Sequence, residues 1–364
     1  MTKLDTVQNW TYKNELDFTY LSDPKTIQYL TGFFSDPVER VLALVVFPDK
    51  EPFMFAPALE VEAIKDTGFP YEVYGYLDHE NPWQMIAEHI KERVANPKHA
   101  GLEMDNLTIS RLNALNSQLS DVSFDKDVTD FMSGMRLIKS ADEIEKLDAA
   151  GREADFAFAK GFAAVKAGKP ESAVMAELEY ALKQKGVMEM SFDTLVQAGA
   201  HAAEPHGATS DNVIKNNEMV LFDLGTVHQG YISDSSRTVA VGELSDKQKD
   251  IYNVCLDAQL TAMNYVKPGV TAESVDKVAR DIIDKAGYGK YFIHRLGHGM
   301  GMSEHEFPSI MEGNKMELKP GMCFSIEPGI YVPGFAGVRI EDCVHVTEDG
   351  CKPFTHTPKE LKYL

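Results

Sequence analysis

The sequence of 364 residues predicts an α/β domain followed by an α+β domain that is built from two related halves. Three observations lead to this prediction. Strand-like apolar segments alternate with helix-like segments over residues 1–132. A long helical pattern then opens a new unit near Met135. Within that unit, glycine-containing motifs recur at a fixed interval, which is typical of an internal duplication.

The first domain, residues 1–132, shows the pattern expected of an α/β fold. The apolar run 40–47 (RVLALVVF) predicts a buried strand, and residues 52–55 predict its neighbour. Apolar residues in the segment 83–94 recur at helical spacing. The domain has no catalytic constellation of its own. Residues 32–40 (GFFSDPVER) form either an ordinary connecting loop or a lid over a catalytic site of this or a partner subunit.

The second domain, residues 133–364, is predicted to consist of two α-α-β halves. Capping boxes at Ser140 and Ser245 each open a predicted helix. The motif at residues 165–168 (VKAG) recurs at residues 266–269 (VKPG), an offset of 101 residues that also relates two later glycines, Gly186 and Gly287. Each half ends in an apolar strand, so approximate twofold symmetry would bring the strand ends together in the middle.

Each half supplies a pair of carboxylates at such strands. Asp223 ends an apolar strand of the first half, and Asp234 follows 11 residues later. Glu327 ends an apolar strand of the second half, and Glu341 follows 14 residues later. Buried carboxylates are costly unless cations or hydrogen bonds compensate them. Four converging acids therefore predict a pair of divalent metal ions.

The ligand set also restricts the metal. Oxygen-rich ligation with few nitrogens favours Mn²⁺, with Co²⁺ or Zn²⁺ as alternatives. The predicted nitrogen ligand is His298, because Gly297 and Gly299 on either side let the backbone approach a ligand closely.

Five motifs occur in the order that is typical of one group of enzymes. They are residues 222–225 (FDLG), 230–238 (GYISDSSRT), 294–305 (HRLGHGMGMSEH), 325–329 (SIEPG) and 338–342 (VRIED). From about residue 135 to the carboxyl terminus, the chain resembles the "pita-bread" metallopeptidases, which include methionine aminopeptidase, aminopeptidase P and prolidase. Residues 29–33 (YLTGF) resemble the creatinase-like N-terminal domain of the proline-specific members.

The resemblance implies a role for each predicted ligand. Asp223 would chelate one metal ion, and His298 and Glu327 would chelate the other. Asp234 and Glu341 would bridge both ions. Bound together, the two ions lower the pKa of a water molecule that attacks the scissile carbonyl.

The same resemblance implies the remaining catalytic and substrate-binding residues. Glu327 would act as general base as well as ligand. His206 and His305 would hydrogen-bond the carbonyl oxygen and the tetrahedral intermediate, or move protons to the leaving nitrogen. His294 would line the substrate pocket. Glu304 departs from the usual Val or Ile at its position, and its charge leaves the protonation state of His305 open.

The substrate prediction depends on the domain composition and on two arginines. The additional domain disfavours methionine aminopeptidase, and the complete ligand set disfavours creatinase. A dipeptidase needs a cation for the free carboxylate of its substrate. Arg339 lies two residues before Glu341 in a predicted strand, residues 338–346, so both would face the metals and Arg339 would bind that carboxylate. Arg295 is a second candidate, with a structural ion pair as the alternative.

We therefore predict a prolidase-type peptidase that acts on Xaa-Pro dipeptides. The alternatives are an aminopeptidase P acting on longer Xaa-Pro peptides and a non-catalytic peptide-binding module of the same fold. The formal net charge of −20 argues against nucleic acid or an anionic membrane as a partner. Four cysteines without metal-binding spacing, and no apolar run of membrane-spanning length, predict a cytoplasmic protein. Analogy with family members that carry the additional domain predicts a homodimer.

Overall fold

A computed structural model describes residues 2–205 and 207–364. The chain divides into two compact units, Met1–Ser133 and Gly134–Leu364. The helix Thr129–Leu137 contains the residues at which one unit ends and the other begins. Across the described residues, none of the helices is both long and apolar enough to cross a bilayer.

The first unit is built around a mixed sheet. Its strands are Phe18–Leu21 (β1), Ala43–Val46 (β2), Phe53–Pro57 (β3), Glu72–Tyr76 (β4), His99–Leu102 (β5) and Ser123–Asp127 (β6). The helices are Lys3–Lys13 (α1), Pro24–Thr31 (α2), Val61–Asp66 (α3), Pro82–Arg93 (α4), Ile109–Gln118 (α5) and Thr129–Leu137 (α6), with a 3₁₀ helix at Ala58–Glu60. The strand order is β4-β3-β2-β1-β5-β6. Strand β2 is antiparallel to both neighbours, whereas the remaining pairs are parallel.

The predicted strand at residues 40–47 is shorter in the structure than its apolar run. Strand β2 begins at Ala43, because the residues before it make hydrogen bonds to side chains instead of a neighbouring strand. The amide of Val41 donates to the hydroxyl of Tyr76 at 2.7 Å, and Arg40 pairs with Asp78 at 2.9 Å. All residues of β2 are buried, as expected of a central strand.

Residues 32–40 form a loop that polar contacts hold to the first unit. Arg111 donates from Nη2 to the carbonyl oxygens of Val38 and Arg40, each at 3.1 Å. Val38 adopts a φ of +52°, an unfavourable conformation for a β-branched residue, and its side chain is 73% exposed. The loop therefore presents an apolar side chain to solvent from a backbone that is fixed by several hydrogen bonds.

The second unit is an α+β domain. Its helices are Ala141–Ala164 (α7), Glu171–Gln184 (α8), Asp246–Tyr265 (α9) and Ala272–Lys285 (α10), with 3₁₀ helices at Gly199–Ala203 and Gly289–Tyr291. The strands of the first half are Leu195–Ala198 (β7), Glu218–Leu224 (β8), Val227–His228 (β9), Tyr231–Ile232 (β10) and Ser235–Val241 (β11). Those of the second half are Gly297–Gly299 (β12), Glu306–Ile310 (β13), Cys323–Ile326 (β14), Gly329–Val332 (β15), Ala336–Arg339 (β16), Asp342–Val346 (β17) and Cys351–Pro353 (β18).

The strands of each half form an antiparallel sheet. The order is β11-β8-β7 in the first half and β13-β12-β14-β17-β18 in the second, and the pairs β9-β10 and β15-β16 form separate ribbons. Helices α7 and α9 begin with capping boxes at Ser140 and Ser245, which confirms both predicted helix starts.

The duplication is visible in the backbone. Gly168 and Gly269 have φ angles of +90° and +87°, and Gly186 and Gly287 have φ angles of +91° and +85°. Such angles favour glycine because it has no Cβ. The amide of Gly168 donates to the carbonyl of Ile214, and the amide of Gly269 donates in the same way to Leu318, at 2.8 and 3.0 Å. The recurring motifs therefore have the same structural role in each half.

One predicted strand is wrong. Residues 338–346 form the end of β16 and the whole of β17, which belong to different sheets. The strand ends at Ile340 and Glu341, where the backbone changes its hydrogen-bond partners. The amide of Ile340 still follows the β15-β16 register and donates to Pro328 at 3.5 Å, whereas the amide of Glu341 donates to Ser236 at 3.1 Å. Glu341 therefore lies in the break between the strands, and the two-residue spacing from Arg339 does not describe one continuous strand.

Candidate metal centre

The five predicted ligands converge in the second unit. They are Asp223 in β8, Asp234 directly before β11, His298 in β12, Glu327 directly after β14, and Glu341 between β16 and β17. All five line one cavity of about 430 Å³. Ligand atoms of Asp234, His298 and Glu341 lie within 4.8 Å of one another. His298 Nε2 is 3.2 Å from Glu327 Oε1 and 3.5 Å from Asp234 Oδ2.

Apolar neighbours position the acids at this cavity. Phe222 precedes Asp223 and is buried in the core of the first half, where its ring contacts that of Phe162 edge-on at 5.4 Å. Ile326 and Ile340, which precede Glu327 and Glu341, are buried in the core of the second half. Alternation between buried apolar and acidic residues therefore fixes which way the carboxylates face.

The carboxylates of this cluster repel one another when ionised, so protons or additional cations must compensate them. Burial raises the pKa of Asp223, and burial together with the other acids raises the pKa of Asp234 and Glu341 well above the usual range. Asp223 Oδ1 and Glu341 Oε1 are buried and have no hydrogen-bond partner among the described residues. Unpartnered carboxylate oxygens that face other acids are the donor set that hard divalent cations prefer. The residues therefore fit a metal centre.

His298 presents one nitrogen to the acids. Its Nδ1 lies 3.2 Å from the carbonyl oxygen of Gly299, so a proton on Nδ1 leaves Nε2 as an acceptor. Burial lowers the pKa of His298, but Glu327 and Asp234 together raise it to about 9, so a metal ion at Nε2 would replace a proton there. Ser325 connects the strands at this point, since its Oγ accepts from the amide of His298 and donates to Glu327, both at 2.9 Å.

Arg339 lies inside the cluster. Its Nη2 donates to Asp223, its Nε donates to Ser236 Oγ at 2.8 Å, and its Nη1 donates to the hydroxyl of Tyr331 at 2.7 Å. Ser236 in turn donates to Glu341 Oε2 at 2.7 Å. Arg339 is 4% exposed, so its guanidinium acts as a buried counter-ion for the acids. One guanidinium cannot neutralise four carboxylates.

His294 and Arg295 also line the cavity. His294 Nδ1 is 2.7 Å from the carbonyl oxygen of Arg295, and Nε2 is 3.1 Å from the hydroxyl of Tyr331. Arg295 donates from Nη1 to Ser309 Oγ at 3.2 Å. Burial lowers the pKa of His294, which favours its neutral form.

The two predicted catalytic histidines differ in what the structure describes. His305 lines the cavity beside Glu304, and its ring lies 4.2 Å from that of His298 between centroids, in an edge-on arrangement. His206 lies outside the described residues. On either side of it in sequence, the amides of Ala198 and Ser210 donate to Glu171 of α8, at 2.7 and 3.2 Å.

Tyr331 and Ser236 belong to the site, although the sequence motifs did not identify them as site residues. Ser236 follows Asp234 by two residues, so the alternation of side chains along β11 was a signal that could have placed it on the same face. Tyr331 had no comparable signal. Its position depends on the pairing of β15 with β16, where it lies opposite Gly337, and that pairing is a tertiary feature.

The twofold-related halves and the buried acids around one imidazole define the class of hydrolases that use divalent metal ions. The chain belongs to metallopeptidase family M24, whose family model matches residues 145–348. The model of the Creatinase/Prolidase N-terminal domain matches residues 3–138. These matches confirm the predicted family and the predicted pita-bread fold.

Individual relatives are similar over almost the entire chain. A Xaa-Pro dipeptidase of Lactobacillus delbrueckii subsp. lactis is 56% identical over 99% of this chain and 98% of its own length. A solved Xaa-Pro dipeptidase from Bacillus anthracis is 34% identical with a TM-score of 0.92, covering 100% of this chain and 99% of that one. A solved X-Pro aminopeptidase from Thermotoga maritima MSB8 is 29% identical with a TM-score of 0.86, covering 96% and 98%.

Proposed function

We propose that this chain hydrolyses the peptide bond before proline in Xaa-Pro dipeptides. The observation that carries the proposal is the buried acid cluster, found in a chain similar over nearly its full length to proteins named Xaa-Pro dipeptidase. The bond before proline is a tertiary amide without an N–H group, so its hydrolysis requires a site that binds the substrate by its ends rather than by that group.

The metal assignment is part of this proposal. Asp223 would hold one ion, His298 and Glu327 would hold the other, and Asp234 and Glu341 would be ligands of both. The unpartnered oxygens of Asp223 and Glu341 support this assignment. The ions would be Mn²⁺, since oxygen ligands predominate, with Co²⁺ or Zn²⁺ as substitutes. When bound, they polarise the scissile carbonyl and activate water.

The protein side chains carry the proton transfers. We assign the general base to Glu327. Burial raises its pKa, but the hydrogen bond and charge of His298 lower it by a larger amount, so the carboxylate is ionised. His305 is placed at the cavity to hydrogen-bond the carbonyl oxygen or to donate to the leaving nitrogen. We assign the same class of role to His206.

Arg295 is the stronger candidate for the substrate carboxylate. Arg339 directs its Nε, Nη1 and Nη2 groups at Ser236, Tyr331 and Asp223, so its hydrogen bonds are made within the cluster. Arg295 makes one 3.2 Å hydrogen bond from Nη1 and lines the cavity. His294, whose neutral form is favoured, completes the pocket beside it.

We further propose a homodimer in the cytoplasm. The first unit exposes several apolar side chains in segments next to strand ends or at a helix start: Phe34, Val38, Leu59, Leu77, Met104 and Ile109. Exposed apolar side chains are typical of a protein interface when they lie together. The cysteines of the chain are free thiols, which supports a reducing compartment. Light scattering coupled to gel filtration tests the dimer.

A substrate panel tests the proposed activity. With the Mn²⁺-loaded protein, kcat/KM for a Xaa-Pro dipeptide is expected to exceed that for the matching Xaa-Pro-Yaa tripeptide at least about tenfold, because only the dipeptide places its carboxylate at Arg295. A preference for the tripeptide would instead favour an aminopeptidase P. Bound metal without any hydrolysis would favour a peptide-binding module.

A further inference from the structure

An ion pair on α10 contacts a segment that contributes side chains to the cavity. Asp276 accepts two hydrogen bonds from Arg280 one turn further along the helix, from Nε to Oδ2 and from Nη2 to Oδ1, both at 2.9 Å. Asp276 is 1% exposed, and the side chain of Arg280 is half-buried. Such a forked arrangement on a buried carboxylate fixes the guanidinium in one plane.

This pair also holds the backbone of the segment 292–296. Asp276 Oδ1 accepts from the amide of Leu296 at 2.9 Å. Arg280 donates to the carbonyl oxygens of Phe292 and His294, at 3.2 and 3.0 Å, and its guanidinium lies 4.3 Å from the centroid of the Phe292 ring. The segment lies in neither a helix nor a strand. Its backbone groups therefore need partners from side chains, and the pair supplies them.

The segment held in this way carries the proposed substrate-binding side chains. His294 and Arg295 both line the cavity, whereas neither Asp276 nor Arg280 occurs among its described lining residues. We propose that Asp276 and Arg280 are positioning residues that set the place of His294 and Arg295, and thereby the affinity for the carboxylate end of the substrate. This inference rests on the proposed function.

The variant Arg280→Lys tests the inference most sharply. Lysine keeps the charge but cannot fork between Asp276 and two carbonyl oxygens. A displacement of about 1 Å at a binding group can cost up to about 100-fold, so KM for the dipeptide is expected to rise 10- to 100-fold while kcat changes less than about threefold. Metal content is expected to stay equal to that of the wild type.

A second variant and a matched control complete the design. Asp276→Asn removes one carboxylate oxygen from Arg280 and is expected to shift KM in the same direction. Lys277→Ala breaks an exposed ion pair with Asp281 on the same helix at the same spacing, where the two side chains are 72% and 60% exposed. This control is expected to leave KM and kcat unchanged.

The free carboxylate of the substrate provides a readout that a purely structural role would not move. The wild type is expected to prefer a Xaa-Pro dipeptide over its C-terminal amide, and Arg280→Lys is expected to lose at least about tenfold of that preference. An unchanged KM and preference in folded Arg280→Lys, with the wild type active on dipeptides, would overturn the positioning role alone. A wild type without dipeptide hydrolysis would overturn the proposed function as well.

Discussion

Glu341 and Asp342 are adjacent and buried, yet they have opposite surroundings. The carboxylate of Asp342 accepts hydrogen bonds or ion pairs from four side chains, those of Arg237, Thr355, Gln259 and Lys359. Glu341 accepts one hydrogen bond, from Ser236, and its other oxygen has no partner within residues 2–205 and 207–364. The remaining neighbours of Glu341 include the acids Asp234, Glu327 and Asp223.

This difference shows how a buried acid is compensated. Asp342 obtains cations from its own chain, whereas Glu341 lies in a cluster whose acids outnumber the nearby guanidinium. Glu103 in the first unit represents a third case. It is 4% exposed and accepts from the amides of Ser22 and Asp23, at 2.8 and 2.9 Å. Burial raises its pKa to about 7, so a proton compensates it. Burial of an acid therefore does not by itself predict a metal.

Replacing a proposed bridging ligand is expected to have the largest effect. Asp234→Ala removes a carboxylate that no described side chain can replace. Partners outside the ligand shell typically contribute 10- to 100-fold, so loss of a ligand is expected to lower kcat/KM by about 1,000-fold or more. Steady-state kinetics on a Xaa-Pro dipeptide measures this loss. Activity within tenfold of the wild type would contradict a metal site formed by Asp234 and Glu341. The contrast between Glu341 and Asp342 would then have no functional meaning.

Removing one of the two cations of Asp342 is expected to reduce stability instead. Arg237→Met leaves the buried carboxylate with Lys359 as its remaining cationic partner among the described residues, at 2.8 Å. Loss of one partner of a buried ion pair should lower the free energy of unfolding of the second unit by about 3 kcal/mol. Denaturant titration measures this change. The double variant Arg237→Met with Asp342→Leu should recover much of the loss, because the buried carboxylate is removed together with Arg237. A single variant as stable as the wild type would contradict the pairing.

Glu103 is expected to make the first unit sensitive to pH. Because its folded pKa of about 7 lies above the ordinary value of 4.5, its favourable contribution is complete below about pH 4.5 and is lost as pH rises through 7. The loss amounts to about 3 kcal/mol. Glu103→Gln should remove this dependence, as measured by the Tm of the first unit from pH 5 to 8. Parallel curves for both proteins would exclude a proton as the compensating charge.

The smallest expected effect shows whether Arg295 rather than Arg339 binds the substrate carboxylate. Arg295→Ala removes the proposed partner of the substrate carboxylate, and a hydrogen bond to a charged group contributes about 1.5–3 kcal/mol. The expected loss in kcat/KM for the dipeptide is therefore about 10- to 100-fold, with the C-terminal amide affected much less. Equal losses of kcat/KM on the dipeptide and on its amide would show that Arg295 does not bind the substrate carboxylate.

Local signals in the sequence were sufficient for much of the fold. The capping box at Ser140 predicted a helix start correctly, and the recurring glycines at Gly168 and Gly269 predicted a duplication that the backbone confirms. Acids at the ends of apolar strands, such as Asp223, predicted convergence at one cavity. These features depend on residues that are close in sequence or that repeat at a fixed interval.

Tertiary contacts account for what the sequence did not predict. The break between β16 and β17 arises because the amide of Glu341 donates to Ser236 of β11, after which Asp342 pairs with Ile326 of β14. Tyr331 enters the site through the pairing of β15 with β16, and Asp276 accepts from the amide of Leu296, 20 residues later in the chain. No local periodicity indicates which backbone group a distant side chain will bind.

Counting the metal ions of the wild-type chain tests the central claim most directly. After dialysis against Mn²⁺ and removal of free ions, elemental analysis is expected to find two ions per chain. Chelation should abolish hydrolysis of a Xaa-Pro dipeptide, and added Mn²⁺ should restore it. A chain that is free of metal after chelation and still hydrolyses the dipeptide at the original rate would contradict the account.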